Sequence, residues 1–378
     1  MTEFLTKAER LPGSFDWYLL LPAVTLALLG LLTMNTFGVG SSLAPRQMEW
    51  VGVGLVVYTL LASADLRFLR RSQVVTAGYL LALALLALLL IATHAVMGAR
   101  SWFTFGPVSF EPADFAKLAL IAMLAKYLSR RHVDIARLRH VVVSAFYAGA
   151  IILLVLVQPD LGTAAILGTV WLGMMLVSGI SKKHLAIVGL IAVLAATALW
   201  FGGLHDYQRA RIAAFINPAS DIRGAGYNAY QATIAVGSGQ WLGKGIGYGT
   251  QSKLKFLPEY QTDFIFAAFA EEWGFVGVAL LLILYGLLVA RLIDIAKRAG
   301  TNFDAFFTLG VAILFMAHLF IHAGISLGLL PVTGTTIPFM SSGGSHLVAE
   351  FAALGIVSSL ARHGRSVARD AAQREFVG

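Results

Sequence analysis

The sequence predicts an all-α polytopic membrane protein with about ten transmembrane helices, both termini cytoplasmic, and one large extracytoplasmic loop between helices 7 and 8. Composition is the first reason: 58% of the 378 residues are hydrophobic and 13% are charged, which is too apolar for a soluble domain. Patterning is the second, because the apolar residues form runs of bilayer length separated by polar segments. We therefore treat residues 1–378 as a single transmembrane domain.

The predicted spans are taken from these apolar runs. Their approximate bounds are 17–35, 48–63, 74–94, 112–128, 140–157, 163–180, 184–202, 263–291, 304–329 and 345–361. With the N-terminus inside, most lysines and arginines of the short loops are cytoplasmic, and the short outer loops carry only Arg46 and Arg100. The first run follows a polar segment without a small-residue cleavage signal, so we expect it to remain as a helix.

The connection at 203–262 is too long to be an inert linker. Within it, Tyr227 to Val236 has the pattern of a short amphipathic helix on the membrane surface. The following stretch, from Lys244 to Gly277, brings lysines and carboxylates against the start of the eighth span. Charge at a membrane boundary indicates function, so we place the functional centre there.

Asp263 lies at the start of the eighth span. A helical projection places Asp263, Ala267, Ala270, Glu271 and Gly274 on one face of small and acidic residues. Such a face fits a cavity better than it fits lipid. The alternative is that Asp263 only caps the helix and complements its dipole, and residue type alone leaves both interpretations open.

Lys117 is the one lysine or arginine in the interior of a predicted span, away from its ends. A lysine at mid-membrane costs roughly 2.5–3.5 kcal/mol on insertion scales, so it is expected to face a cavity or a partner. Asp114 is the local partner, three residues earlier on the same helix face, and Glu111 and Pro112 resemble a cap and first turn. A simple intrahelical ion pair is the alternative.

Composition also excludes several functions. The chain has no cysteine, so disulfides, thiolate catalysis and Cys-based metal or iron–sulfur sites are excluded. The net charge of +8 is spread over short loops and forms no stripe, which argues against nucleic acid as a partner. The sequence also lacks the SxxK, SDN and KTG elements of a penicillin-binding transpeptidase.

Five long motifs follow one another between about Gly98 and Leu360. They are VQPDLGT at 157–163, LHDYQRARI at 204–212, GAGYNAYQATIAVGSG at 224–239, GKGIGYGTQSKLKFLPEYQTDFIFAAFAEE at 243–272 and GLLPVTGTTIPFMSSGGS at 328–345. Together they resemble the SEDS family of bacterial wall synthesis. The wording GTQS, KFLPE and TDFIFA resembles its elongation branch more than its division branch.

The resemblance implies a peptidoglycan glycosyltransferase that polymerises lipid II at the outer face of the bacterial cytoplasmic (inner) membrane. The family's essential aspartate falls on Asp263, which would act as general base on the acceptor hydroxyl. The leaving diphosphate needs cationic stabilisation, for which Arg209, Arg211, Lys244 and Lys253 are available. The alternative for these cations is a solvated position near anionic headgroups.

Further residues are expected to bind substrate. Together with Asp263, Glu111, Asp114, Lys117 and Asp160 would line a groove for the head of a lipid-linked sugar. We also assign Arg209, Arg211, Lys244, Glu259 and Ser345 to substrate binding. The chain departs from the family pattern at Glu111, Ala113, Ser342 and His322. His346 and Glu350 lie at i and i+4 on the last span, where we expect a buried pair and not a metal site.

The resemblance also implies partners. A class B penicillin-binding protein would crosslink the glycan strands that this chain makes. We expect no organic cofactor; a divalent cation, Mg²⁺ or Mn²⁺, fits the chemistry beside a diphosphate, but the sequence shows no closed ligand set. The alternatives are a lipid II flippase or transporter, the division-specific polymerase and a noncatalytic scaffold.

Overall fold

The computed structural model describes residues 16–35, 43–92, 101–105, 108–130, 138–217, 224, 226–254 and 256–376, with side chains up to 364. Gly98 and Arg100, named above, lie outside these ranges, as does Lys255 of the KFLPE motif. The described part of the chain is mostly helical. It adds one short hairpin, in which β1 (Phe103–Phe105) pairs antiparallel with β2 (Val108–Phe110).

The helices are numbered in chain order. They are α1 (Trp17–Asn35), α2 (Leu43–Ser63), α3 (Ser72–Ala92), α4 (Pro112–Ser129), α5 (Leu138–Val157), α6 (Leu161–Val177), α7 (Lys182–Ala198), α8 (Asp206–Ile216), α9 (Tyr227–Ser238), α10 (Thr250–Lys253), α11 (Ile265–Lys297), α12 (Asn302–Ser326) and α13 (Gly344–Phe376). A 3₁₀ turn at Arg67–Arg70 follows α2, and a π turn at Leu199–Gly203 continues α7.

Each of the ten apolar runs forms a helix, and the protein is a multi-pass membrane protein. Seven helices in the described ranges are long and apolar enough to cross a bilayer, namely α1, α3, α5, α7 with its π turn, α11, α12 and α13 up to Gly364. Helix α6 is apolar but shorter, and α2 and α4 carry charged residues, which lowers their hydropathy. That all ten helices cross, with both termini inside, remains a prediction.

Helices α4 and α12 form the centre of the bundle. Helix α12 packs against α4, α6, α11 and α13. Gly310 allows its close approach to α4 and α6, because a Cβ there would lie 2.5 Å from Cγ2 of Ile121 and 3.1 Å from Sδ of Met174. At the other extreme, α7 has no buried residue.

The predicted surface helix is α9. It runs two residues further than the pattern indicated, to Ser238. Ala232 and Ala235 are buried against α11, so this helix packs onto the bundle and does not only rest on a membrane surface. The first residue of its predicted range, Tyr227, begins the helix as expected.

The predicted acidic face of the eighth span is wrong. Helix α11 begins at Ile265, so Asp263 lies in the turn before it, and Gly274 interrupts the helix with a φ of +63°. Segment 240–245 fills the break: Lys244 N and Gly245 N donate to the carbonyls of 271 and 272, at 2.9 and 3.0 Å. Helical periodicity fails here because the backbone is not helical at Gly274.

Candidate active site

Asp263 is presented by a tight turn. The carbonyl of Glu259 accepts hydrogen bonds from the amides of Thr262 and Asp263, at 3.2 and 3.0 Å, and Glu259 itself has a positive φ of 51°. The side chain of Asp263 is half-buried, and that of Glu259 is exposed. The turn therefore holds a carboxylate at the boundary between the bundle and the surface.

The loop at 331–336 passes directly beside this carboxylate. A Cβ on Gly334 would lie 3.4 Å from Oδ2 of Asp263. His322 holds the loop, because its Nδ1 lies 2.7 Å from the carbonyl of Thr335 and its Nε2 accepts from the amide of Phe266 at 3.4 Å. This pair of contacts requires a neutral ring with the proton on Nδ1, and an asparagine amide can make the same pair.

The environment of Asp263 favours its protonated form. Burial is the main cause and, with the charges of Glu259 and Asp160, raises the pKa of Asp263 to about 6. The guanidinium of Arg211 and a hydrogen bond from Thr262 oppose this shift. A carboxyl with a pKa near 6 can accept and release a proton close to neutral pH.

Asp160 and helix α8 form another wall. Asp160 caps α6 by accepting from the amide of Thr163 at 2.9 Å. The preceding carbonyl, of Pro159, accepts from Tyr207 Oη at 3.2 Å and from Gln208 Nε2 at 3.1 Å. These bonds dock α8 onto the start of α6, next to Asp263, and explain why the charges of Asp160 and Arg211 both act on Asp263.

The two arginines of α8 differ. Arg211 is exposed, and its guanidinium carbon lies 5.7 Å from the ring centre of Tyr207. Arg209 turns back along its own helix, 3.9 Å from Asp206 and 3.5 Å from the carbonyl of Phe201. Arg211 is therefore the better placed of the two to meet a ligand at Asp263.

A second cluster of charges is buried between α4 and α13. Lys117 Nζ lies 3.0 Å from Asp114 Oδ1, which confirms the predicted pairing. Asp114 also lies 2.9 Å from Nδ1 of His346 and accepts from Oγ of Ser345 at 3.2 Å. The predicted His346–Glu350 pair is present as well, at 2.8 Å. Each partner of Asp114 comes from α4 itself or from α13.

Glu111 lies at the edge of this cluster as the cap of α4, with Pro112 in the first turn, as predicted. Its amide donates to Oγ of Ser345 at 3.3 Å, and its Oε2 accepts from Trp102 Nε1 at 3.1 Å. Burial and the charge of Asp114 raise the pKa of Glu111 to about 8, against the charge of Lys117. Asp160 adds to this shift, so its charge acts on both clusters.

The segment 341–345 joins the two clusters. On one side, Ser341 Oγ donates to the carbonyl of Thr262 at 2.8 Å, and the amide of Ser342 donates to the carbonyl of Gln261 at 2.9 Å. On the other side, Ser345 contacts Asp114. The departure at Ser342 leaves this backbone bond in place. Of the four acids and one lysine predicted to share a groove, Glu111, Asp114 and Lys117 are thus connected to the turn that carries Asp263, whereas Asp160 acts on both clusters through its charge.

The FtsW/RodA/SpoVE family of cell cycle proteins matches residues 15–366 of this chain. The chain belongs to this family. The peptidoglycan glycosyltransferase MrdB of Escherichia coli K12 is 35% identical over 356 residues, which cover 92% of this chain and 95% of the relative. Stage V sporulation protein E of Bacillus subtilis is 35% identical over 332 residues, covering 85% and 87%.

Solved structures agree with this assignment. A chain of a peptidoglycan synthase complex, described as coordinating polymerization and crosslinking, superposes with a TM-score of 0.79 and 34% identity over 93% of this chain and 98% of that one. The Rod shape determining protein RodA of Thermus thermophilus superposes with a TM-score of 0.69 and 31% identity over 92% and 97%. The fold is therefore that of RodA.

Two predicted site residues have other partners in this family fold. Lys244 lies 2.7 Å from Oε1 of the buried Glu271, which also accepts from the amides of Thr250 and Gln251 at 2.9 and 3.2 Å. Lys253 lies 5.7 Å from the ring centre of Tyr248. The Lys244–Glu271 pair ties the loop to α11. The described cation whose charge acts on Asp263 is Arg211.

Sequence reasoning missed three residues that organise the site. Ser341 fixes the Asp263 turn, and His322 was noted only as a departure from the family pattern. His318 lies one turn before His322, with Nδ1 2.9 Å from the carbonyl of Thr336. The spacing of the two histidines on one helix face was the signal that could have identified this loop support.

Proposed function

We propose that this chain is the elongation-type peptidoglycan polymerase, a glycosyltransferase that joins lipid II into glycan strands, with Asp263 as general base. The observation that carries the proposal is the half-buried Asp263, whose raised pKa of about 6 suits proton transfer near neutral pH. The names of the relatives support the reaction class: MrdB is a peptidoglycan glycosyltransferase.

The proposed reaction is a displacement at an anomeric carbon. An acceptor sugar hydroxyl attacks this carbon, its proton passes to a carboxylate oxygen of Asp263, and undecaprenyl diphosphate leaves with the bonding electrons. Negative charge grows on the diphosphate, and a nearby cation stabilises it. Arg211 has the charge, the exposure and the proximity to Asp263 for this role.

The buried cluster has a different proposed role. Asp114 and Lys117 are both buried and paired with each other, so neither is free to accept a proton from substrate. We assign them, with Glu111, Asp160, Glu259 and Ser345, to the groove that receives the lipid-linked sugar. Their contacts through segment 341–345 connect this groove to the turn that carries Asp263.

We propose a divalent cation, Mg²⁺ or Mn²⁺, only as an ion that the substrate diphosphate binds. In the described ranges, no group of three or more His, Cys, Asp or Glu side chains could hold a metal. The described side chains alone therefore do not form a closed metal site, and the proposed reaction has no step on a protein-held metal. Magnesium commonly combines one or two carboxylates with substrate phosphates, so chelation of the assay buffer tests this point.

We further propose that the site faces the outside of the cytoplasmic membrane and that a class B penicillin-binding protein acts with the chain. The distribution of lysine and arginine supports this orientation. The structural likeness to a chain from a complex that coordinates polymerization and crosslinking supports a crosslinking partner. The loop at 203–262 would then be extracytoplasmic.

The test is glycan polymerisation from purified lipid II by the detergent-solubilised chain with its penicillin-binding partner. Glycan polymer seen on a gel after chelator-free incubation is the expected result. The absence of polymer, together with translocation of labelled lipid II in vesicles that carry the chain alone, would replace the proposal with the transporter alternative. If the rate after chelation depends on added Mg²⁺ or Mn²⁺, the reaction requires a divalent cation.

A further inference from the structure

The buried cluster contains two residues that the proposed reaction does not use. His346 and Glu350 lie one turn apart on α13, and both are buried. The histidine ring lies between two carboxylates, with Nδ1 2.9 Å from Oδ1 of Asp114 and Nε2 2.8 Å from Oε1 of Glu350. Two buried carboxylates on one imidazole are costly unless their charge is balanced.

The arrangement balances its own charge. Nδ1 is in hydrogen-bond geometry with Asp114, and Nε2 is in ion-pair contact with Glu350 without the angles of a hydrogen bond, so a protonated ring places its positive charge between the two carboxylates. With His346 positive, the four groups Asp114, Lys117, His346 and Glu350 sum to zero. The cavity that they line with His318 has a volume of about 10 Å³, room for one water molecule. The cluster is therefore compact.

Glu350 reaches beyond the cluster. Its second oxygen, Oε2, accepts from the amide of Phe339 at 2.7 Å. Phe339 has a φ of +63°, a conformation that bulky residues adopt only when their surroundings hold them there. The hydroxyl of Tyr285 donates to the adjacent carbonyl of Pro338. The carboxylate of Glu350 thus helps to hold a strained turn.

Hydrogen bonds connect the Phe339 turn to the segment that carries Asp263. Two residues later, Ser341 Oγ accepts from the amide of Ile337 at 2.9 Å and donates to the carbonyl of Thr262 at 2.8 Å. Thr262 immediately precedes Asp263. A continuous line of contacts therefore runs from Asp114 through His346, Glu350 and the Phe339 turn to the peptide that carries Asp263.

We propose that His346 and Glu350 are positioning residues for Asp263. His346 supplies the charge that lets Glu350 be buried beside Asp114, and Glu350 fixes the Phe339 turn, which sets the distance between Asp263 and the groove. This inference rests on the proposed polymerase function. Misplacing a reacting group by about 1 Å can cost about a hundredfold in rate, so a lost support need not touch substrate to matter.

Four variants separate positioning from stability. Glu350→Gln keeps an oxygen for the Phe339 amide, and its amide group can donate to a neutral His346. Glu350→Leu removes the oxygen and leaves the charge unbalanced. The double variant His346→Leu/Glu350→Leu removes the oxygen but restores the balance, because Asp114 and Lys117 remain. The matched control is the double variant Arg70→Met/Asp304→Leu, which removes a partly buried ion pair of 2.7 Å elsewhere in the bundle.

The measurement is kcat and KM for lipid II, with thermal midpoints, on the full chain with its penicillin-binding partner. We expect Glu350→Gln to keep kcat within about twofold of native, and Glu350→Leu and the His346/Glu350 double variant to lose about tenfold or more in kcat, with KM little changed. The double variant should regain thermal stability relative to Glu350→Leu, whereas the Arg70/Asp304 control keeps its kcat.

Three results would overturn the inference. Native kcat in the His346/Glu350 double variant would show that the pair does not position Asp263. A rate loss in the Arg70/Asp304 control equal to that of Glu350→Leu would reduce the effect to general stability. If the native chain makes no glycan, the polymerase function is wrong and this inference fails with it. The native sample alone gives that result, so the two failures can be distinguished.

Discussion

The two acidic clusters of this protein differ in how many partners their carboxylate oxygens have. Around Asp114 every carboxylate oxygen has a partner: Lys117 and His346 on one oxygen and Ser345 on the other. Asp263 has no such set; it is half-buried beside the exposed Glu259, and its pKa rises to about 6. A carboxylate whose two oxygens both have hydrogen-bond partners therefore stabilises the structure of the site. A carboxylate with few partners, at the edge of the site, is suited to proton transfer.

The largest expected effect comes from the carboxylate with few partners. Asp263→Asn keeps the shape of the side chain but cannot accept a proton, and general-base catalysis contributes about 10²–10⁴ in rate. We expect a loss of that size in glycan polymerisation from lipid II. The exposed carboxylate in the same loop region, Asp206, offers the matched control, because Asp206→Asn should polymerise at nearly the native rate. Comparable activity in both variants would refute the general-base role.

Lys117→Met tests the cluster around Asp114 and should have the next largest effect. It leaves a buried carboxylate at Asp114 with one cation fewer, and breaking a buried pair costs about 3–5 kcal/mol. We expect a lower thermal midpoint together with reduced polymerisation. Arg70→Met breaks a comparable pair with Asp304 and should lower stability with little change in kcat. Equal kcat losses in the two variants would mean that Lys117 has no role in the groove.

The pH profile of polymerisation distinguishes the clusters further. A general base must be unprotonated, so activity should fall by about tenfold per pH unit below a pKa of about 6 for Asp263. The same raised pKa favours the protonated acid in the fold, so its stabilising contribution is present at low pH and lost as the pH rises through about 6. The thermal midpoint of Asp263→Asn at pH 8 should therefore be no lower than native. A rate independent of pH between about 5 and 7 would contradict the assignment.

The smallest effects are opposite shifts of that profile. The charge of Glu259 raises the pKa of Asp263 and that of Arg211 lowers it. Glu259→Gln should therefore move the acid limb of the pH–rate profile to lower pH, and Arg211→Met should move it to higher pH. Arg211→Met should also lower kcat if the guanidinium stabilises the leaving diphosphate. Shifts in the same direction would show that neither charge acts on Asp263.

The sequence predicted local features well. Apolar runs located the helices, most of them to within about three residues at each end, although α2 begins five residues earlier and α11 and α13 end six and fifteen residues later than predicted. Spacing identified the Asp114–Lys117 and His346–Glu350 pairs, because both lie within one helix turn. The Glu111 cap followed from the proline after it. These features depend on neighbours in the chain, which periodicity and capping rules describe.

Contacts between distant segments could not be predicted. The hydrogen bond between Asp114 and His346 joins residues 232 positions apart. Spacing within a helix therefore could not predict this contact of the histidine with another helix. The break at Gly274 was missed because the apolar pattern continues through it, although the backbone φ is +63°. The contact between Lys244 and Glu271 was also not predicted, because 27 positions separate the two residues; the assignment of Lys244 to substrate binding stays a prediction.

The close packing of α13 on α2 has a consequence for how the protein is made. A Cβ on Gly54 would lie 2.4 Å from the ring of Phe351, so the last helix fits directly against the second. Residues 341–350 leave the ribosome after all other parts of both clusters. Until they dock, Asp114 lacks His346 and Ser345, and Thr262 lacks Ser341. We therefore expect both clusters to be complete only after the final helix is inserted.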